Sequence, residues 1–392
     1  MKSKDYSFED KFLIKEVNGL NELKELRTVW NHLAERQGSH TPFLCFDWFE
    51  TWLQHFLEDH KLQILIVYRE DEIVAIAPFT LRKERFKGIN IRKIELIGNI
   101  YSPIRYLLFN SSDDKERKKI LFYIFEFFTK FCKDWDIIDF YPIPEENHCF
   151  DLIKMAVNRT KFKPSEYFCF GDWYLDKIEL SGDEYFEKLP KRVKKDISYN
   201  QRRLRNMGHY EFKLINNGDI DHYMDIYYGV YSRSWQERES IGPNFHRDLA
   251  KMAARNNWLR LGFLFFNNVA MASQFWLACD GTAFILKTVY DQEFKKYSPG
   301  KILTSEMMKY VIDKDRVKTA DYIHGDETYK EDWASERRER KGILIYNNNI
   351  RGQYLYLYDK KISGAINKYR FLKTMKEIVV KGLKRTSKEK QS

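Results

Sequence analysis

At 392 residues the chain exceeds one ordinary core, and 43% hydrophobic with 32% mixed-sign charged residues excludes a disordered chain. Acids near the N-terminus (Met-Lys-Ser-Lys-Asp-Tyr-Ser-Phe-Glu-Asp) leave no apolar signal-peptide core, and the longest apolar run, near Ile120 to Phe128, is too short to span a bilayer. Five cysteines without a Cys-x-x-Cys pair point to reduced thiols, so a cytoplasmic protein with no metal site is expected.

In chain order, Leu20 to Ala34 and Phe46 to Phe56 carry helical apolar spacing. Leu62 to Tyr68 and Ile73 to Leu81 form a hairpin around Arg69-Glu-Asp71. Ile91 to Leu96 and Tyr106 to Phe109 add strands, Lys118 to Cys132 an amphipathic helix, and Trp135 to Tyr141 a strand ending at Pro142 and Pro144. The second half repeats this rhythm. Asp183 to Met207 is helical with a break at Pro190, Tyr210 to Ile215 is a strand, and Ile220 to Glu237 and Phe245 to Arg255 are helices. Leu259 to Phe266 and Val269 to Ala278 make a second hairpin around Asn267-Asn268. Thr282 to Tyr290 reads as a buried strand, a helix runs from near Gly300 to about Ile312, and Lys318 to Ile323 is a strand. The repeated order predicts an α/β (α+β) fold of two similar domains, 1–175 and 176–358, each a mixed, mostly antiparallel sheet flanked by helices. A basic amphipathic helix is expected over 359–392.

Two places look chemical. The first is the strand-to-helix turn Ser298-Pro299-Gly300-Lys301. Its small residues let the backbone approach a ligand, and the unpaired first amides of the helix suit a phosphate. The second is Asp321-Tyr-Ile-His324-Gly-Asp326-Glu327-Thr-Tyr329-Lys330, where carboxylates, a His, a Tyr and a Lys crowd a strand end. The net charge of +10 sits after a nearly neutral first half, mostly in Lys188 to Arg205 and in the tail. Such patches suit an anionic partner: cofactor phosphates, RNA, or an acidic membrane surface reached through residues 359–392.

Taken together, Tyr290-Asp291, Tyr297-Ser298-Pro299-Gly300, Asp321, Gly325-Asp326-Glu327, Tyr329-Lys330 and Ser234-Trp235 resemble GNAT-related acetyltransferases of the BioF2-like, cellulose-biosynthesis (CelD-like) family. These are relatives of the Fem peptidyltransferases. Thr41-Pro42-Phe43 before Trp48, and Ala75-Ile76-Ala77-Pro78, look like the family's N-terminal pattern. The resemblance implies tandem GNAT-like domains with the acyl-donor site in the second, acetyl-CoA or another acyl-CoA as co-substrate, and transfer to an amine. That amine would belong to an amino sugar of a cell-surface glycan, or to its nucleotide-linked or lipid-linked precursor. It places Tyr290, Ser298, Gly300 and Lys301 at the donor, and Trp235, Gln274, His324 and Glu327 at the acceptor.

For amide formation from a thioester, an ammonium must lose a proton and a thiolate must gain one. Asp326 or Asp321 is the candidate base, with Glu327 able to substitute. Lys330 is placed to stabilise negative charge, Tyr329 or Tyr290 to protonate sulfur. His324 activating a hydroxyl would instead give an ester. Two alternatives stand beside this: a Fem-like enzyme using aminoacyl-tRNA, and a non-enzymatic envelope protein that keeps the fold.

Overall fold

The computed structural model of the chain describes residues 4–37, 41–58, 60–143, 148–236 and 243–361. Among these residues one mixed sheet runs through both halves. In the first half β1 (Lys4–Ser7), β2 (Phe12–Val17), β3 (Lys61–Arg69), β4 (Glu72–Phe86) and β5 (Ile89–Leu96) pair antiparallel in sequence order. Short β6 (Leu108–Phe109) pairs with β4, and β7 (Ile137–Ile143) lies parallel to β5. The next strand is β8 (Lys163–Leu175). The second half repeats the scheme: β9 (Tyr210–Ile215), β10 (Leu259–Phe266), β11 (Val269–Cys279) and β12 (Thr282–Tyr290) are antiparallel neighbours, and β13 (Thr319–Asp321) is parallel to β12. The last strand, β14 (Glu336–Tyr346), enters between β7 and β8, while the other edge of β8 takes β13.

Alternation along the strands loads both faces of the sheet. Leu65 and Val67 of β3 join the core under α4 (Asp114–Lys130) and α5 (Cys149–Val157), below. Ile64 and Ile66 point the other way, to the core of α2 (Arg27–Glu35) and α3 (Phe46–Phe56), the helices that follow α1 (Leu20–Glu25). In the second half α6 (Gly182–Lys188) and α7 (Lys191–Met207) cover one face, and α8 (Ile220–Ser232) and α9 (Pro243–Arg255) the other. α10 (Pro299–Asp313) joins the first pair, and α11 spans residues 350–361. Phe43, Trp48 and Tyr101 of the first half belong to the α8–α9 core, so the two halves share apolar packing.

Most predicted elements are present, with shifted ends. The helix expected over Leu20 to Ala34 breaks at Leu26, whose N–H turns back to the Leu23 and Lys24 carbonyls. The one expected to reach Glu237 ends at Ser232. Asn267 and Asn268 both take positive φ, as the tight β10–β11 hairpin requires. Unforeseen are β1, β2, α5 and, most consequentially, β8 and β14. The basic helix expected over 359–392 lies outside the described residues beyond Lys361. Among the described residues, no helix is long and apolar enough to cross a membrane.

β14 escapes a hydrophobic pattern search because it opens Glu-Arg-Arg-Glu-Arg-Lys, yet Arg340 is fully buried. Arg340 and Arg338 both donate to Asp172 of β8, at 3.1 and 2.8 Å, and Arg338 also donates to Asp321 of β13. Three buried charges and the partly buried Arg338 thus tie three adjacent strands. Removing one member of such a cluster strands its partners without water and costs about 3–5 kcal/mol. Arg340→Met is expected to lower stability to urea by that amount, whereas Lys11→Met, which removes the exposed pair with Glu70, leaves the midpoint unchanged.

Candidate active site

The parallel pairing of β12 with β13 lasts only from Thr282 to Phe284. Beyond it the strands part. On its other edge β12 carries a bulge at Leu286, where the register with β11 slips between Phe275 and Trp276. A cavity of about 610 Å³ fills the gap. Ile285 to Thr288 form one wall, the start of α10 another, and the chain after β13 the third; Trp235 and the first half's Ile100 and Tyr101 close it. Past Phe284 the edge of β12 has no strand partner on this side among the described residues; the Gln236 side chain donates to the Thr288 carbonyl at 3.0 Å, and the edge between Phe284 and Thr288 lies open to a ligand.

The turn into α10 is built differently from the expected amide cradle. Ser298 itself takes the left-handed conformation (φ 50°, ψ 46°), ahead of Pro299 at the first helical position. The Ser298 N–H bonds the Lys295 carbonyl, Pro299 has none, and the Lys301 and Ile302 amides both return to the Ser298 carbonyl. Among the described residues this leaves Gly300 as the first-turn amide without a recorded partner. The carboxylate of Asp196, from α7, accepts from Ser298 Oγ at 3.0 Å and pairs with Lys301 Nζ at 2.7 Å. The anion that the Ser298 hydroxyl and Lys301 hold is therefore the protein's own. Gly300 keeps the wall open, since a Cβ there would meet the Tyr290 ring at 3.4 Å, and Trp235 lies against that ring at 4.3 Å.

After β13 the chain makes a strained turn. Ile323 has φ 49°, a costly conformation for a β-branched residue, and such strain persists only when neighbours enforce it. Asp321 Oδ1 accepts the Ile323 N–H at 2.6 Å. The buried ammonium of Lys330 donates to the carbonyls of Tyr322, His324 and Gly325 and pairs with Glu327 at 2.9 Å. The turn presents three groups to the cavity. Loss of water around the His324 ring, packed on Phe170 at 4.2 Å, and the Lys330 charge keep its pKa below 6.5. Burial pulls the Glu327 carboxyl upward but Lys330 outweighs it, so it titrates below its ordinary value. The Tyr322 hydroxyl is buried without a hydrogen-bond partner and burial raises its pKa well above 10.

Of the residues singled out from sequence, Trp235, Tyr290, Gly300, Lys301, His324, Glu327, Tyr329 and Lys330 line this one cavity. Four do not. Asp326 faces away in a two-pronged ion pair with Arg337 (2.7 and 2.8 Å), which holds its pKa low, and sits where a side chain on Gly171 would be. Asp321 is buried in the charge cluster, where burial and the adjacent Asp172 push its pKa up. Ser298 points to Asp196. Gln274 is buried behind the wall, donating to Thr304 at 2.7 Å. Sequence reasoning missed Tyr322 and Lys287, which carry no spacing signal, and Ile100 and Tyr101, which arrive from the other half.

Residues 191–331 match the family model described as acetyltransferase (GNAT) domain, and this stretch contains the three cavity walls that the second half supplies. The chain is similar in fold to a crystal structure of FemX (TM-score 0.59, 11% identity, 85% of this chain and 98% of that one). It is also similar to a conserved protein of unknown function from Bacteroides thetaiotaomicron VPI-5482 (TM-score 0.51, 16% identity, 85% and 99% covered). No protein of curated function matches its sequence. The chain is thus GNAT-like and Fem-related in fold, as its motifs imply.

Lys330→Met is expected to leave three carbonyls and Glu327 short of a donor. Stability should fall by about 1–3 kcal/mol, with faster amide exchange over residues 323–327 than in the rest of the sheet.

Proposed function

We propose that the protein is an acyl-CoA-dependent N-acyltransferase that moves an acetyl group from the thioester to an amine. The observation that carries this reading is the opening between β12 and β13, inside the stretch matching an acetyltransferase domain, with an open strand edge, the Gly300 amide, the His324 imidazole and a phenol without a hydrogen-bond partner among the described residues around one space. The amide-bearing arm of the donor suits the free edge of β12, which offers backbone hydrogen bonds. The Gly300 N–H, with Lys301 when it exchanges Asp196 for a ligand, suits the diphosphate.

His324 is a better base than Asp326, which is paired with Arg337, or Asp321, which is held in the charge cluster. Burial and the Lys330 charge hold the His324 pKa down, which favours the neutral imidazole that can take the proton of the acceptor ammonium, while Glu327, its own pKa lowered by Lys330, holds that ammonium in place. The amine nitrogen then attacks the carbonyl carbon, the carbon–sulfur bond breaks, Tyr322 supplies the thiolate with a proton, and the second proton that the nitrogen sheds as the amide forms restores the Tyr322 hydroxyl, while the one taken by His324 passes to solvent. Asp321 and Lys330 act through the turn as positioning residues. The acceptor class, an amino sugar of a cell-surface glycan or its precursor, rests on the sequence resemblance. A Fem-like use of aminoacyl-tRNA finds support in the exposed basic side of α7, with Lys191, Arg192, Lys195, Arg202 and Arg205. Steep loss of activity with salt would favour it.

With acetyl-CoA and a panel of amino sugars, free thiol and acylated product should appear together. His324→Gln should lower kcat by about 100- to 10,000-fold, and Tyr322→Phe should lower kcat with little change in KM. Wild-type activity should hold from pH 8 to about 6.5 and fall below it as the imidazole protonates. Absence of thiol release with every acyl-CoA and acceptor refutes the reading.

A further inference from the structure

A second cavity, of about 570 Å³, lies against the first and shares Ile100 and His324 as walls. Its charges are unequally served. Lys93 pairs with Glu95 at 2.9 Å and Asp139 at 3.1 Å, and Asp139 also accepts from Tyr167 at 2.7 Å. Asp359 accepts from Lys87 at 2.5 Å and Ser165 at 2.8 Å. Arg105 differs. Only 4% exposed, it donates to two carbonyls, Asn99 at 2.6 Å and Ser102 at 3.4 Å, and stacks on Tyr141 at 4.4 Å. Among the described residues no carboxylate lies in ion-pair range of it, and its Nη1 is buried without a partner.

A neighbouring donor is in the same condition. Asn99 Oδ1 accepts the Tyr101 N–H at 3.0 Å, which fixes the amide's orientation, and its Nδ2 is buried and unpaired. Gly98, at φ +147°, makes room for this arrangement, since a Cβ there would lie 2.6 Å from Arg105 Nε. Among the described residues, both buried unpaired polar atoms on this cavity's wall are donors, and one belongs to a charged guanidinium. A buried cation without a counter-charge is costly, so a wall built this way is complete only with an acceptor-rich anion against it.

We infer that the second cavity binds an anionic group, a carboxylate or a phosphate monoester, of the acyl acceptor, held by Arg105 and Asn99 while its amine reaches past His324 into the first cavity. Calling that molecule the acceptor rests on the acyltransferase reading; the anion site does not.

Calorimetry of the full chain at low ionic strength, with inorganic phosphate in one arm and acetate in the other, tests the site without any acyl donor. Wild type should bind at least one of them, and the tighter binder names the acceptor's group. Arg105→Gln should weaken that binding by about tenfold or more. Should that variant fail to fold, Asn99→Asp decides alone: it keeps the oxygen that accepts from Tyr101, supplies an internal carboxylate, and should cost at least as much affinity. Equal binding of phosphate and acetate to wild type and Asn99→Asp, or binding of neither by wild type, overturns the inference. Acetyl-CoA, titrated separately, should bind wild type and Asn99→Asp alike; its failure to bind wild type counts against the acyltransferase reading and leaves the anion result standing.

Discussion

Everything at the centre of this molecule hangs on one cluster of four charges, three of them buried and the fourth, Arg338, partly so. Asp172, Asp321, Arg338 and Arg340 lie on three neighbouring strands at the junction of the two sheet halves. A network of this kind adds less stability than an apolar core of equal volume, but it tolerates only one register, because a slip of one residue would bury charge against no partner. The same Asp321 reaches forward to the Ile323 amide, so the constraint that aligns the strands also sets the strained turn that carries His324. Strand register and the shape of the candidate site share one residue.

The start of α10 shows a related economy. Asp196 sits where an incoming phosphate would be expected to find Ser298 and Lys301. An internal carboxylate there holds the Ser298 hydroxyl and the Lys301 ammonium, and an anionic ligand reaching for either would bind in competition with it. Affinity for a donor at this corner is a difference between two ion pairs rather than the worth of one.

How much was legible in the sequence follows from what kind of force holds each part. Apolar alternation and helical spacing marked the hairpins β3–β4 and β10–β11 and the helices α3, α7 and α10, because burial of those side chains is what forms them. β8 and β14 were invisible because charge pairing, not apolar burial, holds much of their inward side. The motif around Ser298 and the run after Asp321 were found as sequence, and eight of their residues and neighbours do line one cavity. Their roles were less readable. Asp326 stands beside the cavity's residues in sequence but is drawn outward by Arg337, and Lys330 spends its donors on carbonyls of its own turn. Arg337 lies on β14, a strand that sequence periodicity had no means to reveal, and the carbonyls that Lys330 serves follow from the fold of the turn itself.

The position of β14 has a bearing on how the protein is made. β7 and β8 leave the ribosome with facing edges open, and the strand that pairs with both is synthesised only some 160 residues after β8 ends. Until then the early part of the chain carries two unmatched strand borders, the kind that recruit other nascent chains. Closure of the middle is thus a late event in biosynthesis, and crowding or slow translation of the intervening stretch would act on yield well before it acted on the finished protein.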